Sequence, residues 1–297
     1  DKLKEAEIML RKAIELKPNF AQAHNNLGNI LSDLCKYHEA ETSFRQAVKL
    51  KHNYVIAVCN LGKNLRDLGR LHDAEIVLRK AIKLKPNFAE AHNNLGNILR
   101  DLGKLKEAEI FLCNAIELKP NYSDAYFNLS LIQLLRNNYQ DGFENFEFRF
   151  EKYHPSVLNA NPIICKTDEK KLKVGEKLLV VCEQGLGDTL QYMRYIPYLK
   201  DQGIDVSFCA QEKLHSLIKA SNIDQHPLTP EEANQISEGQ WIPLLSVARY
   251  LQVNPNNPII SEPYIFSTNE LKKKWDNILS KEQRPIIGIN WQGNPNV

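Results

Sequence analysis

The chain has no long apolar run. No stretch approaches the roughly 20 residues that a membrane-spanning helix needs, so no membrane span is expected. The opening DKLKEAEIML is charged and helical in pattern, which does not read as a secretion signal. A charge of one sign is lacking as well. Lys and Arg number 38 against 36 Asp and Glu, leaving +2, and the basic residues alternate with acids along helices. A nucleic-acid surface gathers them on one face, so no nucleic-acid partner is expected. Cysteine is sparse: Cys35, Cys59, Cys113, Cys165, Cys182 and Cys209 lie far apart with no C-x-x-C pair. That excludes a disulfide or zinc framework and fits reduced thiols in the cytoplasm, with no metal site.

What is present is a repeat. Residues 21–53, 55–87 and 89–121 align without gaps, and Pro18, Pro86 and Pro120 fall on one 34-residue lattice, with His52 in the missing slot. Small residues recur on it: Gly28, Gly62 and Gly96 in a first helix, then Ala40, Ala74 and Ala108, and Ala47, Ala81 and Ala115, in a second. Leu27, Leu61, Leu95 and Leu129 mark a buried stripe. Gly and Ala fit where paired helices approach closely, the large residues at i, i+3 and i+4 make the apolar face, and Pro stops the second helix. One such unit cannot bury its own face, so each depends on its neighbours.

This pattern resembles the tetratricopeptide repeat over residues 1–150: a half unit at 1–20, three complete units, and a degenerate fifth in which Gly142 and Arg149 take two small positions. The resemblance implies an αα superhelix whose first helices line a concave surface that holds a protein or an extended peptide. On those helices Asn26, Asn60, Asn94 and Asn128 share one lattice position, and Asp33, Asp67 and Asp101 another. A side-chain amide offers two donors and an acceptor, so an asparagine row can pair with a peptide backbone whatever its sequence. The repeat arrays of O-linked N-acetylglucosamine transferases carry a similar row. The alternative is that these Asn and Asp residues satisfy inter-helix or helix-end groups. His24 and His92 share a position with Val58 and Tyr126, which makes them packing residues.

After a connector at 151–176 the periodicity changes. KLLVVC is a short apolar run of the kind found in buried parallel strands; it leads through EQGLGD into TLQYMRYIPYLKDQG, an amphipathic helix, and on to a second strand DVSFCA. A helix EKLHSLIKAS and a strand near QWIPLL follow, giving an α/β Rossmann-like unit at 177–266. Gly185 and Gly187 permit a tight turn and a close ligand, and Asp188 and Thr189 open the next helix. Leu190 stands where a dinucleotide-binding motif requires a third glycine, which argues against a nicotinamide or flavin cofactor.

The block from 178 to 203, with WQGNP at 291–295, resembles the heptosyltransferase-like glycosyltransferases of two-Rossmann GT-B fold, over roughly 177–297. That resemblance implies inverting, metal-independent transfer from a nucleotide sugar to a glycosyl acceptor. It implies that Asp188 is the general base, with Glu183, Gln184, Gly185, Gly187, Thr189 and Gln191 around the acceptor; the plainer reading of Asp188 is a helix N-cap. Residues 267–297 are expected to hold a helix opened by a capping box from Ser267 to Glu270 and the first strand of a second Rossmann domain. Because a GT-B site forms between two domains, the 297 residues alone are expected to be inactive. The other reading is a non-catalytic scaffold for protein–protein interaction.

Overall fold

A computed structural model describes residues 2–153, 163–167, 171–183, 185–259 and 262–280. The chain divides into two compact units, one running to residue 156 and including Gln252–Asn257, the other comprising Val157–Leu251 and the residues from Pro258 on.

The first unit is a solenoid of antiparallel helix pairs. Helix α1 (Lys2–Leu16) is followed by the pairs α2 (Ala21–Asp33) and α3 (Tyr37–Leu50), α4 (Val55–Asp67) and α5 (Leu71–Leu84), α6 (Ala89–Asp101) and α7 (Leu105–Leu118), and α8 (Ser123–Leu135) and α9 (Tyr139–Phe146), then by a short α10 (Arg149–Tyr153). The lattice glycines explain the close pairing. A Cβ on Gly28 would stand 2.5 Å from the ring of Phe44, and one on Gly62 or Gly96 would stand 2.6 Å from Leu78 or Leu112. Each glycine is thus a slot for one large apolar side chain of its partner helix. Phe44, Leu78 and Leu112 are fully buried there, beside Ala40, Ala74 and Ala108, in one core that runs through the repeats. Burying each of those large side chains contributes roughly 1.5–3 kcal/mol.

Three devices recur at the helix ends. First helices end on a left-handed residue: Gly69 and Gly103 at φ near +74°, and Cys35 and Asn137 at the equivalent places with φ 59° and 62°. The next amide then reaches back to the helix, as Arg70 N–H does to Leu65 O and Lys104 N–H to Leu99 O. Before each first helix a lysine sits over an aromatic ring, Lys51 over Tyr54 and Lys85 over Phe88 among them. Successive second helices are joined by ion pairs, Glu7 to Lys36, Glu41 to Arg70 and Glu75 to Lys104. The aromatic run of the degenerate unit packs on its own α8, with Phe148 stacked on Tyr126 and Phe146 against Phe127.

The second unit contains a four-stranded parallel sheet in the order β1–β4–β2–β3, where β1 is Cys165–Lys166, β2 Lys177–Val181, β3 Asp205–Cys209 and β4 Gln240–Pro243. Leu178–Val181 are buried, as a strand paired on both sides requires. The segment between β2 and β3 is not the single helix its periodicity predicts. It breaks at Met193 and Arg194 into α11 (Leu186–Tyr192) and α12 (Tyr195–Asp201). The break places Pro197 in a first turn, where its missing N–H leaves no bond unmade. Helices α13 (Glu212–Ala220) and α14 (Pro230–Ala233) lie between β3 and β4, and a 3₁₀ turn and α15 (Val247–Tyr250) follow. The last helix, α16 (Asn269–Leu279), is capped by Thr268, whose hydroxyl accepts from Leu271 N–H. Because it starts one residue later than the sequence pattern suggests, Ser267 and Glu270 do not form a capping box. The strand expected at 285–291 lies outside the described residues.

Candidate functional site

The first helices form a face. Helices α4, α6 and α8 line a groove of about 450 Å³, with Lys63 and Arg66 from α4, Asn93, Asn94, Asn97 and Arg100 from α6, and Phe127, Asn128 and Leu131 from α8. The asparagine row has two kinds of member on this face. Asn60 donates from Nδ2 to Asn25 Oδ1 at 3.0 Å, and Asn128 donates to Asn93 Oδ1 at 2.9 Å. These two amides therefore tie successive first helices together, each keeping one N–H and its own oxygen. Asn26 is exposed, and its Oδ1 is 3.4 Å from Asn25 Nδ2. Asn94 is half-buried on the groove wall. The lattice also places Asn97 one helical turn beyond Asn94 on the same side, a position the periodicity could have identified by its i+3 spacing.

The aspartates end the first helices: Asp33, Asp67 and Asp101 are the last residues of α2, α4 and α6. A carboxylate there opposes the helix dipole. Asp101 is compensated. Burial disfavours its charge, but hydrogen bonds from Arg66, at 2.5 Å, and from Arg100 outweigh that and hold its pKa below the ordinary value. Asp67 is not compensated to the same degree, and burial pushes its carboxyl up against the pull of Arg66 and Lys63. Asp33 is exposed. His24 and His92 turn Nε2 to the carbonyls of Pro18 and Pro86, at 2.9 and 2.7 Å, and so fasten each loop to the following helix.

The loop after β2 is the second cluster. Gly185 is the N-cap of α11 and Asp188 its third residue, so the N-cap reading of Asp188 is corrected by the position of the helix start. A Cβ on Gly185 would fall 2.5 Å from Asp188 Oδ2. The carboxyl is folded over the glycine, exposed on its other side. Partial burial, and then the charge of Glu183, raise its pKa. Among the described residues the Asp188 side chain makes no hydrogen bond. Thr189 is buried, and its hydroxyl lies 3.1 Å from Gly185 O and 2.9 Å from Gln211 Oε1, which makes it a brace for the loop. A Cβ added at Gly187 would point into open space. Gln191 is exposed, with its carbonyl taking Arg194 Nε at 2.8 Å, and Glu183 is half-buried. Gln184 lies outside the described residues. Among the described residues no group of three His, Cys, Asp or Glu is arranged to hold a metal, and no helix is long and apolar enough to cross a membrane.

Family models of the tetratricopeptide repeat match residues 21–54, 62–103 and 89–122. The chain thus carries tetratricopeptide repeats, a unit typical of protein–protein interaction and peptide binding. No curated protein matches it. Among solved structures it is similar to the APC/C hetero-tetramer Cut9–Hcn1, at 17% identity over 52% of this chain and 31% of that one, with a TM-score of 0.50. It is also similar to MamA of Desulfovibrio magneticus RS-1, at 22% identity over 52% and 88% with a TM-score of 0.45. A third similar structure is YrrB, described as a TPR protein with an unusual peptide-binding site, at 26% identity over 50% and 77% with a TM-score of 0.41.

Proposed function

We propose that the chain is an interaction protein whose first-helix face holds an extended segment of another polypeptide. The observation that carries this is the pair of amides, Asn94 and Asn97, set one turn apart on the wall of the groove on α6, whose backbone is fixed by full burial of Leu95 and Leu99 behind them. Amides on a rigid helix meet a peptide backbone without ordering loss of their own scaffold. The test is titration of peptides pulled from a random library against the intact chain and against Asn94→Ala with Asn97→Ala. The double variant should bind at least about tenfold more weakly while its melting temperature stays within about 1–2 °C of the parent. Unchanged binding overturns the reading.

A second reading concerns the α/β unit. Asp188 stands beyond the carboxyl end of a central parallel strand, the place where open α/β sheets bind ligands, and its raised carboxyl pKa suits a general base. On that basis the unit contributes the acceptor half of a nucleotide-sugar-dependent glycosyl transfer site, with Glu183, Gln184, Gly185, Gly187 and Gln191 near the acceptor. The repeats then recruit a protein or position the acceptor. A panel of nucleotide sugars assayed by calorimetry and product detection on the intact protein tests this, with Asp188→Ala abolishing turnover. Absence of binding by every donor rejects it.

A further inference from the structure

The groove changes character along its length. At the lattice position that lies one turn beyond the asparagine row, the residues are Asn29, Lys63, Asn97 and Leu131; at the position just before the row they are Asn25, Cys59, Asn93 and Phe127. Only α8 therefore presents two large apolar side chains, Phe127 and Leu131, four residues apart and on one side of the helix. Both are half-buried on the groove wall, and Phe127 is backed by the ring of Phe146 at 5.6 Å between centroids. This end is a firm apolar seat.

The α4 end carries charge. Of the three cations lining the groove, Arg66 and Arg100 both bind Asp101. Lys63 is exposed, and among the described residues no carboxylate lies within 4 Å of its ammonium; Asp67, one turn on, draws on it only at longer range. The acid on the lining is Asp124, at the opposite, α8 end beside Tyr122. An acidic group on a ligand is therefore attracted to Lys63.

We infer that the groove selects an extended peptide carrying a large apolar side chain for Phe127 and Leu131 and an acidic side chain for Lys63. The spacing follows from the solenoid. Lys63 and Leu131 occupy the same position in helices two repeats apart, α4 touches α6, and α6 touches α8. With about 8–10 Å between packed helices, the two sites lie about 16–20 Å apart, which an extended chain at about 3.3 Å per residue spans in five or six residues. Asn94 and Asn97 sit between them and take the backbone.

This inference rests on the peptide-holding reading above, and one experiment separates the two. A random twelve-residue library displayed on phage is selected on the intact chain, on Lys63→Glu and on Leu131→Ser. The expected result is enrichment, by at least about threefold over the starting library, of sequences with Leu, Phe or Met five or six positions from Asp or Glu. The Lys63→Glu bait should replace the acid by Lys or Arg at that place, and the Leu131→Ser bait should lose the apolar preference. Thermal melts of both variants, and of Lys63→Gln as a milder change, check that the fold is retained. Enrichment without this pairing, or an acid retained with Lys63→Glu, overturns the inference and leaves the peptide-holding reading standing. No enrichment on any bait overturns both.

Discussion

The side-chain amide of Asn60 donates to Oδ1 of Asn25 across 3.0 Å, binding two helices that are one repeat apart. Asn25 is 3% exposed, so no water replaces a lost donor. Asn60→Ala should therefore leave a buried acceptor unmet and destabilise by about 1–3 kcal/mol, whereas Asn94→Ala should change stability by less than about 0.5 kcal/mol. Urea unfolding of both variants checks the contrast. Equal losses would mean that the whole row is structural.

Gly96 is a slot for Leu112. A methyl group added at Gly96 meets Leu112 Cγ at 2.6 Å, and Ala108 O at 3.3 Å leaves little room to shift. Gly96→Ala should destabilise by about 1–3 kcal/mol through overpacking. A double-mutant cycle with Leu112→Ala should show coupling of at least about 0.5 kcal/mol in the compensating direction. Simple additivity would show that the close approach is not what the glycine serves.

Cys35 holds the left-handed position that Gly69 and Gly103 hold in the next two units. A non-glycine residue there carries a strain of about 1–2 kcal/mol. Cys35→Gly should accordingly raise stability, by up to about 1 kcal/mol once the freer unfolded chain is allowed for. Gly69→Ala should lower it. Melting temperatures read both signs.

Two carboxylates should respond to pH in opposite directions. Glu75 has its pKa lowered, first by the hydrogen bond from Lys104, against an opposing effect of burial, and then by Arg79. Its contribution is present above the ordinary glutamate value of about 4.3 and is lost as pH falls below it through the depressed folded value. Glu75→Gln should thus flatten the acid limb of the stability curve. Asp67 has its pKa raised by burial, so its charge is unfavourable to the fold once pH passes the ordinary aspartate value of about 3.9. Asp67→Asn should stabilise the protein at neutral pH and have no effect at pH 3. Unfolding curves between pH 3 and 7 decide both.

Much of the solenoid was legible before any coordinates, because a repeat writes the same contact several times. Gly28, Gly62 and Gly96 announce one close approach three times over, and the ring or leucine that fills each slot lies on the same lattice. The strands were legible for a different reason: a strand covered on both faces has to be apolar throughout, as Leu178–Val181 are. The loop after β2 was legible as a turn, but the roles of its residues were not. Asp188 and Thr189 are neighbours of similar size and polarity. One faces solvent over Gly185 while the other is buried against Gln211, and Gln211 is 22 residues away in sequence.

The amino-acid sequence by itself determined the 34-residue period, the close-packed positions within it and the buried parallel strands. These follow from local spacing and side-chain size, which act between residues whose relation the period already states. Only the tertiary structure decided that Asn60 and Asn128 spend an amide hydrogen on the preceding helix while Asn94 stays on the groove wall, that Arg66 and Arg100 are committed to Asp101, and that Lys63 is not. Those assignments depend on which positions of successive helices meet: Asn25 and Asn93 stand 35 residues before Asn60 and Asn128 and accept from them, whereas the same place behind Asn94 holds Cys59.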